Sequence, residues 1–137
     1  MSRIMAIDYG LKRCGIAVSD PLRIIANGLT TVRTREIFSF LEDYFKKEEV
    51  DVIVVGEPKK LSGKATHATL PAEKFAAQLA EKFPGKKIAR IDERFTSKMA
   101  VQTLVDSGLK KKDRQNKALV DEVSATIILQ SYMETKQ

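Results

Sequence analysis

Residues 51–58, DVIVVGEP, form a continuous apolar run rich in β-branched residues that closes on a glycine, a glutamate and a proline. Such a run is typical of a strand that is buried on both faces of a parallel sheet, because helices cover both sides of that kind of sheet. The segment therefore predicts an α/β fold in which helices pack on both faces of a sheet.

The chain before this strand predicts a hairpin-rich start. Two short apolar runs, residues 3–8 (RIMAID) and 14–20 (CGIAVSD), flank the turn YGLKR and predict a β-hairpin. Residues 27–32 (NGLTTV) are rich in β-formers and predict a third strand. Within residues 34–50, apolar side chains recur at the i, i+3, i+4, i+7 spacing of an amphipathic helix. The first half of the chain is thus expected to run β-β-β-α.

The chain after this strand predicts alternating helices and strands. Residues 70–83 have a helical apolar stripe, and residues 86–92 (KKIARID) read as a short strand. Residues 96–108, with a Thr/Ser cap and a closing glycine, predict a third helix, and residues 118–133 a last one. The full order is β-β-β-α-β-α-β-α-α, which predicts one α/β domain over residues 1–137 with a mixed sheet flanked by helices.

The counts of cysteine and histidine limit the metal chemistry open to the chain. It contains one cysteine, Cys14, and one histidine, His67. These cannot build a zinc site with nitrogen and sulfur ligands, so any metal would be held by oxygen, which favours Mg²⁺ or Mn²⁺. Cys14 lies in an apolar stretch and is expected to be a buried structural thiol without a disulfide, as suits a reducing cytoplasm.

No targeting or membrane segment is recognisable in the sequence. The first residues, MSRIMAIDYG, lack the basic start, the apolar segment and the cleavage site of a signal peptide. No run reaches the roughly 20 apolar residues that are needed to span a bilayer. We therefore expect a cytoplasmic protein with no membrane partner.

The charge of the chain favours an anionic partner. Lysine and arginine number 24 against 18 aspartates and glutamates, a net charge of +6, which favours nucleic acid; a purely solubilising charge is the alternative. The basic clusters carry no interleaved aromatic residues, which argues against a base-stacking platform for single strands. The candidate nucleic-acid contacts are Lys12, Arg13, Lys59, Lys60, Lys64, Lys110, Lys111, Lys112, Arg114 and Lys117.

Three carboxylates occupy positions that a structural role does not require. Asp8 ends the first strand and by alternation shares a face with Ile4 and Ala6. Glu93 ends the strand that follows the second helix. Asp121 lies in the last helix on a stripe that is otherwise apolar or aromatic, which it forms with Ala125, Ile128 and Tyr132.

These three carboxylates can converge, because the ends of adjacent central strands lie side by side in a mixed sheet. Without a counter-charge the cluster would repel itself. One or two divalent cations would neutralise it and could clamp the attacking and leaving oxygens of a phosphodiester. Each acid also has a structural alternative: Asp8 could cap a turn, Glu93 could pair with an arginine at the strand edge, and Asp121 could interact with the helix dipole.

Four segments resemble the successive motifs of the YqgF/RuvX family: AIDYGLKRCGIAVSD, VVGEP, DERFTS and VDEVSATIILQ. The resemblance covers nearly the whole chain. It implies a ribonuclease H-like fold, with a five-stranded sheet of three antiparallel and then two parallel strands between helices. It also implies a metal-dependent phosphodiester-cleaving site formed by Asp8, Glu93 and Asp121. Members are described as nucleases that mature the precursor of small-subunit ribosomal RNA, or as resolvases of branched DNA.

One position departs from the family pattern. Glu57, in VVGEP, stands where the family more often has an apolar residue. A carboxylate at this strand end is either a fourth metal ligand or the partner of Lys59 or Lys60, and pairing is the favoured interpretation.

The sequence as a whole predicts a metal-dependent nuclease that acts on structured nucleic acid. Processing of the 5′ end of pre-16S rRNA is the favoured role, and resolution of Holliday junctions is the alternative. A ribosome-assembly factor that keeps the fold without turnover is a second alternative. An ATP-binding protein of the actin-like type is a third, although it would need two such domains. The choice between RNA and DNA, and between monomer and homodimer, stays open at this point.

Overall fold

A computed structural model of the chain describes residues 2–57, 69–92 and 117–135. Every predicted element within these ranges is found, with boundaries that differ by a few residues. The predicted helix over residues 96–108 lies outside the described residues. The elements in chain order are β1 Arg3–Asp8, β2 Arg13–Ser19, β3 Ala26–Arg33, a 3₁₀ turn Thr34–Glu36, α1 Ile37–Lys47, β4 Val50–Glu57, α2 Thr69–Lys82, β5 Lys87–Asp92 and α3 Lys117–Thr135.

The strands form one five-stranded sheet in the order β3-β2-β1-β4-β5. β2 pairs antiparallel with both β1 and β3, whereas β1–β4 and β4–β5 are parallel. The predicted mixed sheet, with three antiparallel and two parallel strands, is confirmed. We call the edge where β1, β3, β4 and β5 end and β2 begins the site end, and the opposite edge the far end.

Helices cover both faces of the sheet, as the apolar run in β4 requires. On one face, Met5, Ile53 and other odd-numbered residues of β1 and β4 pack with α1 and α2 through Leu41 and Phe75. On the other face, even-numbered residues of β1 and, from Val52 onward, of β4 pack against α3. This second cluster contains Ile4, Ala6, Val52, Val54, Ala125, Ile128 and Leu129. Each fully buried aliphatic side chain of this kind contributes about 1.5–3 kcal/mol.

The two helices on the first face end at identifiable signals. α1 ends at Lys47, where the amide of Glu48 still donates to the carbonyl of Tyr44 at 2.9 Å before the chain becomes extended. α2 begins at Thr69 and has Pro71 in its first turn, where a missing amide costs no helical hydrogen bond. Within the described ranges, no helix has the length and hydropathy required to cross a bilayer.

Candidate active site

Asp8 lies at the site end of the sheet and faces α3. It is the last residue of β1, half-buried, and directly opposite Gly15 of β2 in the antiparallel register. Ile4 and Ala6 pack against α3, so alternation places the Asp8 side chain on that same face. The sequence-based assignment of Asp8 to the face of Ile4 and Ala6 agrees with this packing.

Gly15 brings the backbone of α3 directly onto the sheet beside Asp8. A Cβ built on Gly15 would overlap the carbonyl group of Asp121 and approach the amide nitrogen of Glu122 to 2.9 Å. Only a glycine leaves room for this contact. Asp121 is therefore held next to the strand pair that carries Asp8. The rest of its helical stripe faces the sheet as predicted, because Ala125, Ile128 and Tyr132 are buried.

Arg13 forms an ion pair with one of these carboxylates. Its Nε donates to Oδ2 of Asp121 at 2.7 Å, and both side chains are about one-quarter to one-third exposed (33% and 25%). A charge-assisted bond of this length fixes the orientation of the Asp121 carboxylate. The contact uses one of the five N–H donors of the Arg13 guanidinium. Arg13 therefore touches the proposed catalytic acid, in addition to its predicted role as a nucleic-acid contact.

The negative charges of Asp8 and Asp121 both affect the pKa of the Cys14 thiol. Burial is the main cause that raises the pKa of Cys14, and the negative charges of Asp8 and Asp121 raise it further. Hydrogen bonds with Thr34 and Gly10 oppose this rise. Cys14 is fully buried, which agrees with its expected structural role, and its thiol stays protonated at neutral pH. Asp8 and Asp121 thus both lie close enough to Cys14 of β2 to raise the pKa of its thiol.

Glu57 lies on the opposite face from these acids. Val52 and Val54 of β4 pack against α3, whereas Ile53 and Val55 pack on the α1 and α2 side. Alternation therefore places Glu57, at the end of β4, on the α1 and α2 side, where it is directly opposite Asp92 of β5. Alternation thus does not place Glu57 on the face that carries Asp8 and Asp121. Its predicted partners, Lys59 and Lys60, lie outside the described residues, and its role as a metal ligand or as an ion-pair partner stays a prediction.

Several predicted site residues fall outside the described part of the chain. Lys117 is the first residue of α3, so its backbone lies at the start of the helix that carries Asp121. The described residues contain no group of three histidine, cysteine, aspartate or glutamate side chains able to hold a metal ion. The sequence-predicted residues outside the described ranges are Glu93, Lys59, Lys60, Lys64, Lys110, Lys111, Lys112 and Arg114.

The structure adds three charged residues to the surroundings of the site. Arg33 and Arg35 are exposed at and just beyond the end of β3, at the site end. Glu122 lies over β3, where its side chain fills the space above Gly28. None of the three belongs to a local cluster that the sequence alone would single out. Arg33 becomes a candidate site residue only because it lies opposite Arg13, and this pairing is known only from the β2–β3 register.

The fold places the chain in a known class. It is similar to the fowlpox virus resolvase in complex with Holliday junction DNA, with a TM-score of 0.63, 17% identity and coverage of 97% of both chains. It is also similar to Thermus thermophilus RuvC in complex with a Holliday junction substrate, with a TM-score of 0.60, 16% identity and coverage of 99% and 97%. The protein thus has the ribonuclease H-like fold of the resolvases.

The particular family follows from the sequence comparisons. The model of the family RuvX, described as Holliday junction resolvase, matches residues 2–135. A protein of Flavobacterium psychrophilum named "Putative pre-16S rRNA nuclease" is 57% identical over 136 residues, or 99% of each chain. A Bacteroides fragilis protein of the same name is 56% identical over 137 residues, covering 100% of this chain and 99% of its own length. The chain belongs to the RuvX family, and resolvases are enzymes that hydrolyse phosphodiester bonds.

Proposed function

We propose that this protein is a nuclease that hydrolyses phosphodiester bonds in structured nucleic acid, and that its substrate is the 5′ end of pre-16S rRNA. The observation that carries the proposal is the contact between Gly15 and the backbone of Asp121, which sets that acid beside Asp8 at the site end. The name shared by relatives at 57% and 56% identity supports the choice of substrate.

The chemistry of the donor set fits a divalent cation. Asp8 and Asp121 offer only carboxylate oxygens, the ligand type that Mg²⁺ and Mn²⁺ prefer. Together with Glu93, they are the residues that would hold one or two such ions. When bound, divalent ions stabilise the charge that develops on the oxygens of a phosphodiester during hydrolysis.

The residues of the chain itself have distinct tasks in this proposal. Asp121 is fixed by its helix backbone on Gly15 and by the Nε of Arg13. Asp8 is fixed by the β1–β2 ladder, in which its residue pairs with Gly15. These constraints hold the Asp121 carboxylate and the backbone of Asp8 in place before substrate arrives, so little reorganisation is needed during reaction.

Resolution of branched DNA is the second candidate function. The family description and the two structural neighbours bound to or acting on Holliday junctions favour it. A four-way junction has two-fold symmetry, so two copies of the chain would be needed to cut two strands symmetrically. A single chain would suffice for cleavage of a precursor RNA.

The test compares the wild type with Asp8→Asn on a labelled pre-16S rRNA and on a four-way DNA junction, with Mg²⁺, Mn²⁺ or a chelator. We expect metal-dependent cleavage of the RNA that falls roughly a thousandfold in the variant, or about 4 kcal/mol in the barrier. Asp43→Asn is the matched control, because Asp43 is exposed on α1. It should cleave like the wild type.

Each other outcome has a defined meaning. Cleavage of the junction alone would replace the first candidate by the second. Cleavage that Asp8→Asn leaves intact would remove the acid pair from the mechanism. Binding without cleavage in any metal would leave a nucleic-acid-binding factor that keeps the fold.

A further inference from the structure

Two arginines lie opposite each other where β2 begins and β3 ends. Arg13 and Arg33 are directly opposite in the antiparallel β2–β3 register, and opposite residues share one face of the sheet. Cβ atoms of such a pair lie roughly 4.5–5.5 Å apart, and like charges at this separation destabilise a sheet. The arrangement lowers stability unless an anion lies between the two guanidinium groups.

Asp121 compensates only one member of the pair. It accepts from Nε of Arg13 at 2.7 Å, and a guanidinium has five N–H donors, more than this one bond uses. Among the residues that the structure describes, no carboxylate forms an ion pair with Arg33, and its side chain is exposed. Glu122 contacts β3 at Gly28, five residues before Arg33 and thus roughly 16 Å away along the strand.

The backbone that carries Arg33 is firmly attached to the β1–β2 turn. The amide of Thr34 donates to the carbonyl of Lys12 at 3.0 Å, and Oγ1 of Thr34 donates to the carbonyl of Gly10 at 2.6 Å. Arg33 is therefore presented from a fixed backbone position next to Arg13. A binding site with a fixed backbone has less conformational entropy to lose when a ligand orders its side chains.

We propose that Arg13 and Arg33 form a phosphate clamp that binds one backbone phosphate of the nucleic acid beside the scissile bond. The clamp rests on the proposed function for the nature of its ligand. A phosphate has several acceptor oxygens and can accept from two guanidinium groups at once, and arginine suits it through paired N–H donors. Because Arg13 also touches Asp121, the bound phosphate lies adjacent to the carboxylates.

The clamp extends the basic surface beyond the predicted contacts. Lys12 and Arg35, both exposed, flank the pair on the turn and on the 3₁₀ segment. A phosphate backbone that crosses the site end would meet these charges on one side and the two carboxylates on the other. The clamp thus positions the nucleic-acid strand relative to the carboxylates, and the two arginines are positioning residues.

The experiment measures binding of the labelled RNA and the four-way junction by fluorescence anisotropy, in chelator and over a series of salt concentrations. Arg33→Gln should weaken binding about tenfold and reduce the magnitude of the salt slope by about 1. Arg33→Lys should lose less affinity, because it keeps the charge but not the paired donors. Lys47→Gln is the control, since Lys47 is an exposed cation at the far end. It should bind within about twofold of the wild type.

A stability measurement separates a ligand-binding residue from a structural one. Removal of the repulsion between the two arginines should leave the melting temperature of Arg33→Gln equal to or above that of the wild type. A variant that binds less and is no less stable supports the clamp. Unchanged affinity and slope in Arg33→Gln would overturn it, as would an equal loss in Lys47→Gln.

The clamp and the nuclease proposal can fail separately. If the wild type binds nucleic acid but cleaves neither substrate, and Arg33→Gln binds less tightly, the clamp is supported and the nuclease proposal is rejected. Cleavage that depends on Asp8, with binding that does not depend on Arg33, would reject the clamp alone. If the wild type bound neither nucleic acid, both proposals would be wrong.

Discussion

Both ends of the sheet carry an arginine that is paired with an aspartate, but their surroundings differ. At the far end, Arg23 donates to the carbonyl of Ser2 at 3.1 Å and to its Oγ at 2.8 Å, and contacts Asp51 at 3.4 Å. Arg3, also at the far end, pairs with Glu48 at 3.2 Å. Among the described residues, both arginines at the far end therefore bind groups of the chain itself.

At the site end, fewer of the arginines are paired with a carboxylate. Arg13 pairs with Asp121, whereas Arg33 and Arg35 pair with no carboxylate among the described residues. An arginine–aspartate pair by itself therefore says little about function in this molecule. The informative feature is the local excess of guanidinium groups next to it, because exposed arginines without partners are available for a polyanion.

The largest effect is expected from a substitution at Gly15, at the site end. In Gly15→Ala, the new methyl group would overlap the backbone of Asp121, which cannot rotate away as a side chain could. Overpacking of this kind costs about 1–3 kcal/mol, and we expect the upper part of that range. Because Asp121 would be displaced, cleavage should be lost as well. Urea unfolding and the RNA cleavage assay measure the two effects.

Gly85→Ala is the matched control at the far end. Nothing lies within 4 Å of a Cβ built on Gly85, which precedes β5. This variant should unfold at the urea concentration of the wild type or slightly above it, because alanine restricts the unfolded chain. Equal stability of the two variants would show that α3 does not rest on Gly15.

A substitution of Ser19, at the far end, should cause a smaller loss of stability. Its Oγ is fully buried, accepts from the amide of Ile4 at 2.9 Å and donates to the carbonyl of Asp20 at 2.9 Å. Ser19→Ala would leave the buried Ile4 amide without this partner, at a cost of about 1–3 kcal/mol. Urea unfolding should show this loss while cleavage per folded molecule stays unchanged.

Ser39→Ala controls for the loss of a hydroxyl as such. Ser39 is exposed on α1, where alanine is the better helix former, so this variant should be as stable as the wild type or slightly more stable. A loss of activity in Ser19→Ala that exceeds its loss of folded protein would contradict the separation between the two ends.

The fold could be predicted largely from the sequence, because its determinants are local. β1 is predicted at residues 3–8 and found at Arg3–Asp8, since a short apolar run and a turn define both of its ends. The start of α1 differs from the expectation, because residues Thr34–Glu36 form a 3₁₀ turn before the helix begins at Ile37. That turn depends on hydrogen bonds from Thr34 to Gly10 and Lys12, which lie far away in the sequence.

The site could be predicted only in part, because its contacts join distant residues. The position of Asp8 follows from strand alternation, and that of Asp121 from helical periodicity. The ion pair between Arg13 and Asp121 joins residues 108 positions apart, and no local pattern indicates it. Arg33 was missed for the same reason: its neighbour Arg13 is 20 residues away and becomes adjacent only through the β2–β3 register.

A still smaller effect is expected at Asp20, which follows the last residue of β2 at the far end of the sheet. Amide hydrogen bonds from Ile25 and from Ile24 lower the pKa of its carboxyl group below the ordinary value. The stabilisation is therefore complete above about pH 4, and it is lost as the pH falls through the lowered pKa of the folded state. Asp20→Asn keeps an acceptor oxygen but cannot ionise. The difference in melting temperature between wild type and variant should thus be constant near pH 6 and shrink as the pH falls below about 4. A gap that persists at low pH would mean that the turn at the far end does not depend on the charge of Asp20.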